Sequence, residues 1–228
     1  MLNKALIIPS FQPPVSFPKL VQTLKDLGFS TILIINDGSP AEFDLIFNEA
    51  KKYSSQFLIL PQNRGKGAAL KYGFGYVMKN LPQVTHVLTC DDDGQHDPLD
   101  ILALAKTQSL DSDQSSVWLG VRDFKGDVPL KSLWGNFIIR YALLPFTRQF
   151  IYDTQTGLRC IPVKLLPLLM ELPDQRFDFE THSLLTLIKN KVVLKQRPIK
   201  TIYFKQNKYT RFRSIKDSAS VLKSMFKV

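Results

Sequence analysis

Apolar residues follow two alternating patterns along the first 122 residues of the chain. Short continuous apolar runs, such as residues 5–9 and the β-branched run 31–35, have the length and composition of strands buried on both faces. Between these runs apolar residues recur every three or four positions, as in a helix that begins near Phe17 and is stopped by Gly28. This alternation predicts an α/β fold in which helices cover both faces of a mostly parallel sheet. The predicted strands are residues 5–9, 31–35, 57–60, 86–90 and 117–121.

The second half of the chain has a less regular pattern. An apolar, aromatic helix is predicted over residues 130–146, a strand over 158–163 and a helix over 179–189, and short strands mixed with basic residues follow. No run reaches the ~18 apolar residues that cross a bilayer, and we expect the first residues to form a strand instead of a signal peptide. Cys90 and Cys160 lie in apolar runs, and two buried thiols are typical of the reducing cytoplasm.

The net charge of +10 is concentrated at the C-terminal end. Residues 1–190 contain 19 basic and 19 acidic side chains, whereas residues 191–228 contain 11 basic side chains and a single acid, Asp217. A basic tail of this kind indicates an anionic partner, which is a lipid head group, a phosphate or a nucleic acid, unless it is only a solvated surface. The neutral first 190 residues argue against nucleic acid.

Polar side chains gather where the predicted strands end, which is where open parallel sheets bind their ligands. The sharpest cluster, Asp91-Asp92-Asp93-Gly94-Gln95-His96, follows the fourth strand. Alternate residues of an extended turn point the same way, so Asp91, Asp93 and Gln95 can converge on one cation. Oxygen ligands suit Mg²⁺ or Mn²⁺, and such an ion commonly bridges a diphosphate. The alternative is a solvated acidic turn that leads into a helix capped by Asp97.

A glycine-rich turn, Gly65-Lys66-Gly67, follows the third strand. Its backbone N–H groups are able to approach a ligand closely, although the turn also fits an ordinary helix start. The turn is not a P-loop, because no Ser or Thr follows the lysine at the required spacing, and it lacks the third glycine of the dinucleotide fingerprint.

Six short motifs follow one another along the chain, at residues 8–11, 36–39, 63–69, 91–96, 153–159 and 176–180. Taken together and in this order, they resemble the motifs of the family 2 glycosyltransferases, which have the Rossmann-like GT-A fold. The resemblance covers nearly the whole chain and is strongest to the polyprenyl-phosphate sugar transferases, such as the dolichyl-phosphate mannose synthases. His182 departs from the bacterial pattern Phe-Asp-x-Glu-x-Glu, because it stands at the second glutamate.

The resemblance implies a role for each candidate residue. Asp37 would contact the nucleobase, with Pro9 and Lys66 nearby, and Asp91 would contact the metal or the ribose. Asp93 and Gln95 would hold the Mg²⁺ or Mn²⁺. The acceptor and transferred sugar would be contacted by Asp153, Arg159, Arg122, Lys131 and Arg213, and the resemblance also includes Asp178 and Glu180.

The implied reaction is transfer of a sugar from a nucleotide diphosphate sugar to an acceptor, with inversion at the anomeric carbon. A lipid phosphate acceptor, such as a polyprenyl phosphate, is already anionic, whereas a hydroxyl acceptor needs a base, for which Asp153, Asp178 and Glu180 are the candidates. Neither UDP nor GDP is favoured. The alternatives are a nucleotidyltransferase, which usually has a glycine- and arginine-rich loop after its first strand, and a non-enzymatic basic module for membrane surfaces.

The expected organisation is a catalytic domain over residues 1–200 and a basic tail over 201–228. The nucleotide-sugar half would span about residues 1–122 and the acceptor half about 123–200. The basic tail, interleaved with aromatic residues, predicts peripheral association with an anionic membrane. We therefore expect the protein at the inner face of the cell membrane.

Overall fold

A computed structural model describes residues 3–122, 150–176 and 178–200. Seven strands of these ranges form one sheet. Six of them begin and end within one residue of a predicted strand, and the seventh, residues 194–199, has the mixed sequence Leu-Lys-Gln-Arg-Pro-Ile. The strands are β1 (Lys4–Ser10), β2 (Ile32–Asn36), β3 (Gln56–Ile59), β4 (His86–Thr89), β5 (Val117–Arg122), β6 (Arg159–Pro162) and β7 (Leu194–Ile199).

The sheet has the order β3-β2-β1-β4-β6-β5-β7. Parallel pairing joins β1 to β2 and β4, β2 to β3, and β5 to β7. Strand β6 is inserted antiparallel between β4 and β5, with Leu88 opposite Cys160 and Trp118 opposite the same cysteine. The prediction of a mostly parallel sheet is confirmed, and β6 makes it a mixed one.

Helices cover both faces of the sheet, as the alternating pattern predicts. They are α1 (Phe17–Asp26), α2 (Asp44–Lys51), α3 (Lys66–Asn80), α4 (Pro98–Leu110), α5 (Leu166–Met170) and α6 (Asp178–Lys189). One core packs Ile7, Leu33 and other inward residues against α3, α5 and α6, and the second packs Leu6, Ile8 and Ile34 against α1, α2 and α4. Strand residues alternate between the two cores because successive side chains point to opposite faces.

Local signals fix the ends of several helices. Asp97 caps α4, because its Oδ1 accepts a hydrogen bond from the Leu99 N–H at 2.9 Å, and Pro98 lies in the first turn. Gly28 follows α1 with a φ of 95°, a left-handed conformation that favours glycine and ends the helix. Strand β3 differs from the fully buried strand that its apolar run predicts, since it lies at the edge of the sheet and exposes Gln56 and Ile59.

Two predicted elements, the helix over 130–146 and the basic tail over 201–228, lie outside the described residues. Within the described ranges, no helix is both long and apolar enough to cross a bilayer.

Candidate active site

The loops after β1, β2 and β4 contact one another at the carboxyl edge of the sheet. The Asp37 N–H donates to the Ser10 carbonyl at 2.8 Å, and the Ser10 hydroxyl donates to Asp92 Oδ2 at 2.6 Å. The middle aspartate of the acidic cluster is therefore turned toward β1. Ser10 was not among the candidate residues, although its place at the end of the first strand is visible in the sequence.

Asp37 holds the loop that leads from β3 to α3. Its buried carboxylate accepts hydrogen bonds from the Asn63 side chain at 3.1 Å and from the backbone N–H groups of Arg64 at 2.8 Å and Gly65 at 2.7 Å. Burial raises the pKa of Asp37, and these two backbone N–H groups oppose that shift. Whether Asp37 also contacts a nucleobase stays a prediction, and the observed contacts give it a structural task in addition.

The glycines before α3 allow another part of the chain to approach closely. A Cβ on Gly65, whose φ is 100°, would lie 2.6 Å from the Gln175 carbonyl oxygen, and one on Gly67 would lie 2.6 Å from Phe179 Cβ. The Ala68 N–H in the first turn of α3 donates to that same Gln175 carbonyl at 2.9 Å. The Ala68 N–H therefore binds a protein carbonyl, whereas the sequence suggests that backbone N–H groups of this turn approach a ligand.

Lys66 joins three segments of the chain at this edge. Its ammonium forms ion pairs with Asp91, directly after β4, and with Glu180 Oε1 on α6 at 2.6 Å. Although burial lowers it, the two carboxylates raise the pKa of Lys66 overall, so this buried lysine stays charged. The pairing of Lys66 with Glu180 spans more than a hundred residues, and no local pattern predicts it.

The acidic loop contains carboxylates in two different electrostatic states. Burial raises the pKa of Asp91, but the Lys66 ammonium outweighs it and lowers that pKa to about 2. Burial, and then the negative charge of Asp91, raises the pKa of Asp93 to about 7. Asp93 Oδ1 accepts the Gln95 N–H at 2.9 Å, which closes a tight turn.

The donor set at this loop fits a divalent cation in chemical type. Asp91, Asp93 and Gln95 supply oxygen atoms, and a cation would offset the cost of ionising the buried Asp93 carboxyl. Across the described residues, no three His, Cys, Asp or Glu side chains are arranged to hold a metal ion by themselves. His96 serves the loop: its Nδ1 accepts the Asp91 N–H at 3.4 Å, and burial lowers the pKa of this imidazole.

Gly157 lies directly against the Asp91 carboxylate. A Cβ at this glycine would be 2.5 Å from Asp91 Oδ1 and 2.7 Å from Oδ2. The Gly157 carbonyl accepts a hydrogen bond from the Thr89 hydroxyl at 2.7 Å, which ties the segment before β6 to the end of β4. Gly157 was named only as part of the motif 153–159, and the reason for a glycine there appears in the structure.

Arg122, at the end of β5, forms a bidentate ion pair with Asp153. Arg122 Nε donates to Asp153 Oδ2 at 2.6 Å and Nη2 donates to Oδ1 at 3.1 Å, and Asp153 is fully buried. Arg159 is buried separately. It donates to the Thr156 carbonyl at 2.9 Å and to the Ser183 hydroxyl at 2.6 Å, so it fixes the 154–156 turn to α6.

The remaining candidates lie in varied surroundings, and their assigned roles stay predictions. Pro9 is buried in β1 opposite Ile35. Asp178 Oδ1 accepts the Arg176 and Phe179 N–H groups at the start of α6. His182 Nδ1 lies 2.6 Å from Asp174 Oδ2. Lys131 and Arg213 lie outside the described residues.

Two archaeal proteins are similar in sequence to most of this chain. A UDP-N-acetylglucosamine–dolichyl-phosphate N-acetylglucosaminyltransferase of Methanococcus voltae is 27% identical over 216 residues, which cover 87% of this chain and 85% of that protein. An uncharacterised protein of Methanocaldococcus jannaschii is 27% identical over 202 residues, covering 87% of this chain and 81% of that protein.

Solved structures share the fold. Glucosyl-3-phosphoglycerate synthase from Mycobacterium tuberculosis, in complex with Mn²⁺, UDP-glucose and phosphoglyceric acid, matches with a TM-score of 0.74 at 13% identity, over 98% of this chain and 78% of that one. The same enzyme with Mn²⁺, UDP and glucosyl-3-phosphoglycerate matches with a TM-score of 0.70. The sequence pattern of the family "Glycosyl transferase family 2" matches residues 5–166 of this chain. This chain therefore belongs to glycosyl transferase family 2 and has the GT-A fold.

Proposed function

We propose that this glycosyltransferase moves a sugar from a UDP-sugar to a lipid-linked phosphate, with inversion at the anomeric carbon. The observation that carries the proposal is the 27% identity, over 87% of this chain, to an enzyme whose named donor is UDP-N-acetylglucosamine and whose named acceptor is dolichyl phosphate. Membership of the family favours this reading over a nucleotidyltransferase and over a non-enzymatic membrane module.

The donor would lie along the edge formed by the loops after β1, β2 and β4. Asp37 shapes the loop before α3 and would accept the imide N–H of the base, with Pro9 close by. Asp91, Asp93 and Gln95 would hold Mg²⁺ or Mn²⁺. When bound there, such a cation would neutralise charge on the leaving diphosphate.

The acceptor would lie on the other side of Asp91, near β5 and β6. Arg122 is held in a fixed orientation by the buried Asp153, which suits recognition of a phosphate by a guanidinium. Lys131 and Arg213 are further acceptor-binding candidates in the sequence. Arg159 would act by holding the 154–156 turn in place.

The three candidate bases are all engaged by protein groups. Asp153 is paired with Arg122, Glu180 with Lys66, and Asp178 accepts two backbone N–H groups. This supports an acceptor that brings its own negative charge and needs no general base. A lipid phosphate is such an acceptor, whereas a sugar hydroxyl is not.

The reaction would take place at the cytoplasmic face of a membrane, with the protein bound peripherally. The basic segment 191–228, with 11 basic residues and one acidic residue, supports this location because each cation near an anionic leaflet contributes about 1 kcal/mol. Sedimentation with anionic vesicles at low salt tests it. A protein truncated after Lys200 that pellets as well as the full chain would exclude the tail as the anchor.

Transfer itself is tested with the full chain, Mn²⁺, a polyprenyl phosphate and a panel of UDP- and GDP-sugars. We expect a UDP-sugar to yield a lipid-phosphate sugar, and Asp93→Asn to abolish both transfer and metal-dependent nucleotide binding. Asp26→Asn is the matched control, because Asp26 is exposed at the far end of α1. Transfer by Asp93→Asn at the wild-type rate, or transfer only to water-soluble acceptors, would contradict the proposal.

A further inference from the structure

The Lys66 ammonium lies between two carboxylates that belong to different parts of the chain. Its side chain is 15% exposed, and that of Glu180 only 8%. A charge buried to this degree needs an opposite charge beside it, because removing one partner of a buried pair leaves an uncompensated charge. Lys66 therefore has to keep at least one of its two carboxylates whatever else happens at the site.

Asp91 is the partner that Lys66 would have to give up. The proposed divalent cation needs Asp91 as a ligand, and Asp91 Oδ1 is the atom that Lys66 contacts. Lys66 and the cation thus compete for one carboxylate. Glu180 is not among the proposed metal ligands, so it remains available to Lys66 after Asp91 turns to the cation.

Glu180 is well fixed for this task. The Ser183 hydroxyl, one turn further along α6, donates to the Glu180 carbonyl at 2.9 Å and accepts from Arg159 Nη1 at 2.6 Å. These bonds join the first turn of α6 to the start of β6. The backbone that carries the Glu180 carboxylate is consequently tied to the sheet and does not belong to a surface loop.

We infer that Glu180 is a positioning residue that retains Lys66 when Asp91 binds the divalent cation, so that Lys66 and Glu180 together set the affinity of the metal site. The inference rests on the proposed function, since it takes Asp91 as a metal ligand. It gives Glu180 a role different from that of a general base. Lys66 acts as a competitor of the cation, and Glu180 lowers the cost of displacing it.

The test measures Mn²⁺ binding to the full chain without nucleotide, from the electron paramagnetic resonance signal of free Mn²⁺. Lys66→Gln removes the competing charge and keeps a hydrogen-bond donor, so we expect the Mn²⁺ Kd to fall about tenfold. Lys71→Gln is the matched control. Lys71 lies on the same helix and its ammonium donates to the Leu172 carbonyl at 2.7 Å, so this equal change of charge should leave the Kd unchanged.

A double-mutant cycle separates positioning from simple charge. With Lys66 present, Glu180→Gln should raise the Kd about tenfold, because the displaced ammonium then has no carboxylate; in the Lys66→Gln background the same change should have an effect of about threefold or less. An equal factor in both backgrounds would show that Glu180 acts only as a distant charge and would overturn the inference.

Three further outcomes are decisive. If Lys66→Gln does not tighten Mn²⁺ binding, the competition does not exist, and this arm stands even if Glu180→Gln fails to fold. If the wild-type chain binds no Mn²⁺ although it is folded, as equal melting of wild type and Lys71→Gln would indicate, the proposed metal site fails together with the inference. If the wild type binds Mn²⁺ and the variants bind it with the same Kd, the inference is overturned and the proposed metal site stands.

Discussion

Replacing Gly157 by alanine tests how closely the Asp91 carboxylate must be placed. The new Cβ would lie 2.5 Å from Oδ1, 2.7 Å from Oδ2 and 2.8 Å from Cγ of Asp91. An ordinary contact begins at 3.4 Å, so the two groups must separate by 3.4 − 2.5 = 0.9 Å. The Gly157 backbone is held by the Thr89 hydroxyl at 2.7 Å, and we therefore expect the Asp91 side chain to yield.

Such a displacement has a larger effect on function than on stability. Overpacking at one site costs about 1–3 kcal/mol of unfolding free energy. A misplacement of about 1 Å in a reacting group is enough to slow an enzyme about 100-fold. We expect Gly157→Ala to fold, to lose about 100-fold in transfer rate, and to bind Mn²⁺ more weakly, because the new Cβ pushes the Asp91 carboxylate out of the position that the proposed metal site requires.

The measurements are thermal melting, Mn²⁺ titration and initial rates of sugar transfer. Gly75→Ala is the matched control. Its Cβ would meet only Met170 Cε at 3.5 Å, and alanine favours the interior of helix α3, so it should melt at the wild-type temperature or above. A Gly157→Ala protein that binds Mn²⁺ and transfers sugar like wild type would refute the assignment of Asp91 to the metal site.

Further predictions concern the proposed nucleobase contact at Asp37, the proposed acceptor contact at Arg122, and His86 at the start of β4. Asp37→Ala should weaken UDP binding at least about tenfold and, because it leaves buried N–H groups unpaired, lower the melting temperature; full affinity by calorimetry would contradict the nucleobase contact. Arg122→Lys should raise the KM for lipid phosphate about tenfold and lower the melting temperature, since one ammonium cannot reproduce the bidentate pair with Asp153; unchanged lipid kinetics would speak against it. Burial lowers the pKa of His86 from 6.5 to about 4, so its contribution to stability is complete above pH 6.5 and is lost as the pH falls toward 4. Allowing for solvent screening, the free energy of unfolding should fall by about 2 kcal/mol from this cause between pH 7 and pH 4. Urea unfolding at the two pH values should show this decrease in the wild type and not in His86→Gln.

The parts of the fold that depend on local pattern could be predicted from the sequence. The apolar runs located β1 to β6, and Asp97 with Pro98 marked the start of α4. Strand β6 was also expected, but not its antiparallel place between β4 and β5, because sheet order depends on pairing between distant segments. Periodicity carries no information about which strand lies beside which.

The site shows the same division. The acidic cluster and the glycine turn were found because adjacent residues carry them. The partners that govern them, Glu180 for Lys66 and Gly157 for Asp91, lie far along the chain, and only the fold brings them together. A glutamate that holds a lysine and a glutamate that accepts a proton look alike in a sequence, since the difference lies in what faces the carboxylate.

The antiparallel strand β6 has a consequence for the order in which the sheet forms during synthesis. Strands β3, β2, β1 and β4 are complete once residue 89 has emerged, but the other edge of β4 pairs, within the described ranges, with residues 159–162. Strand β5 pairs with β6 and β7, both of which emerge after it. The apolar β4 edge therefore waits about seventy residues of elongation for its native partner β6, and unpaired edges promote aggregation. A fragment that ends at residue 122 keeps this open edge permanently, so we expect that piece to associate through β4 instead of behaving as an independent nucleotide-binding unit.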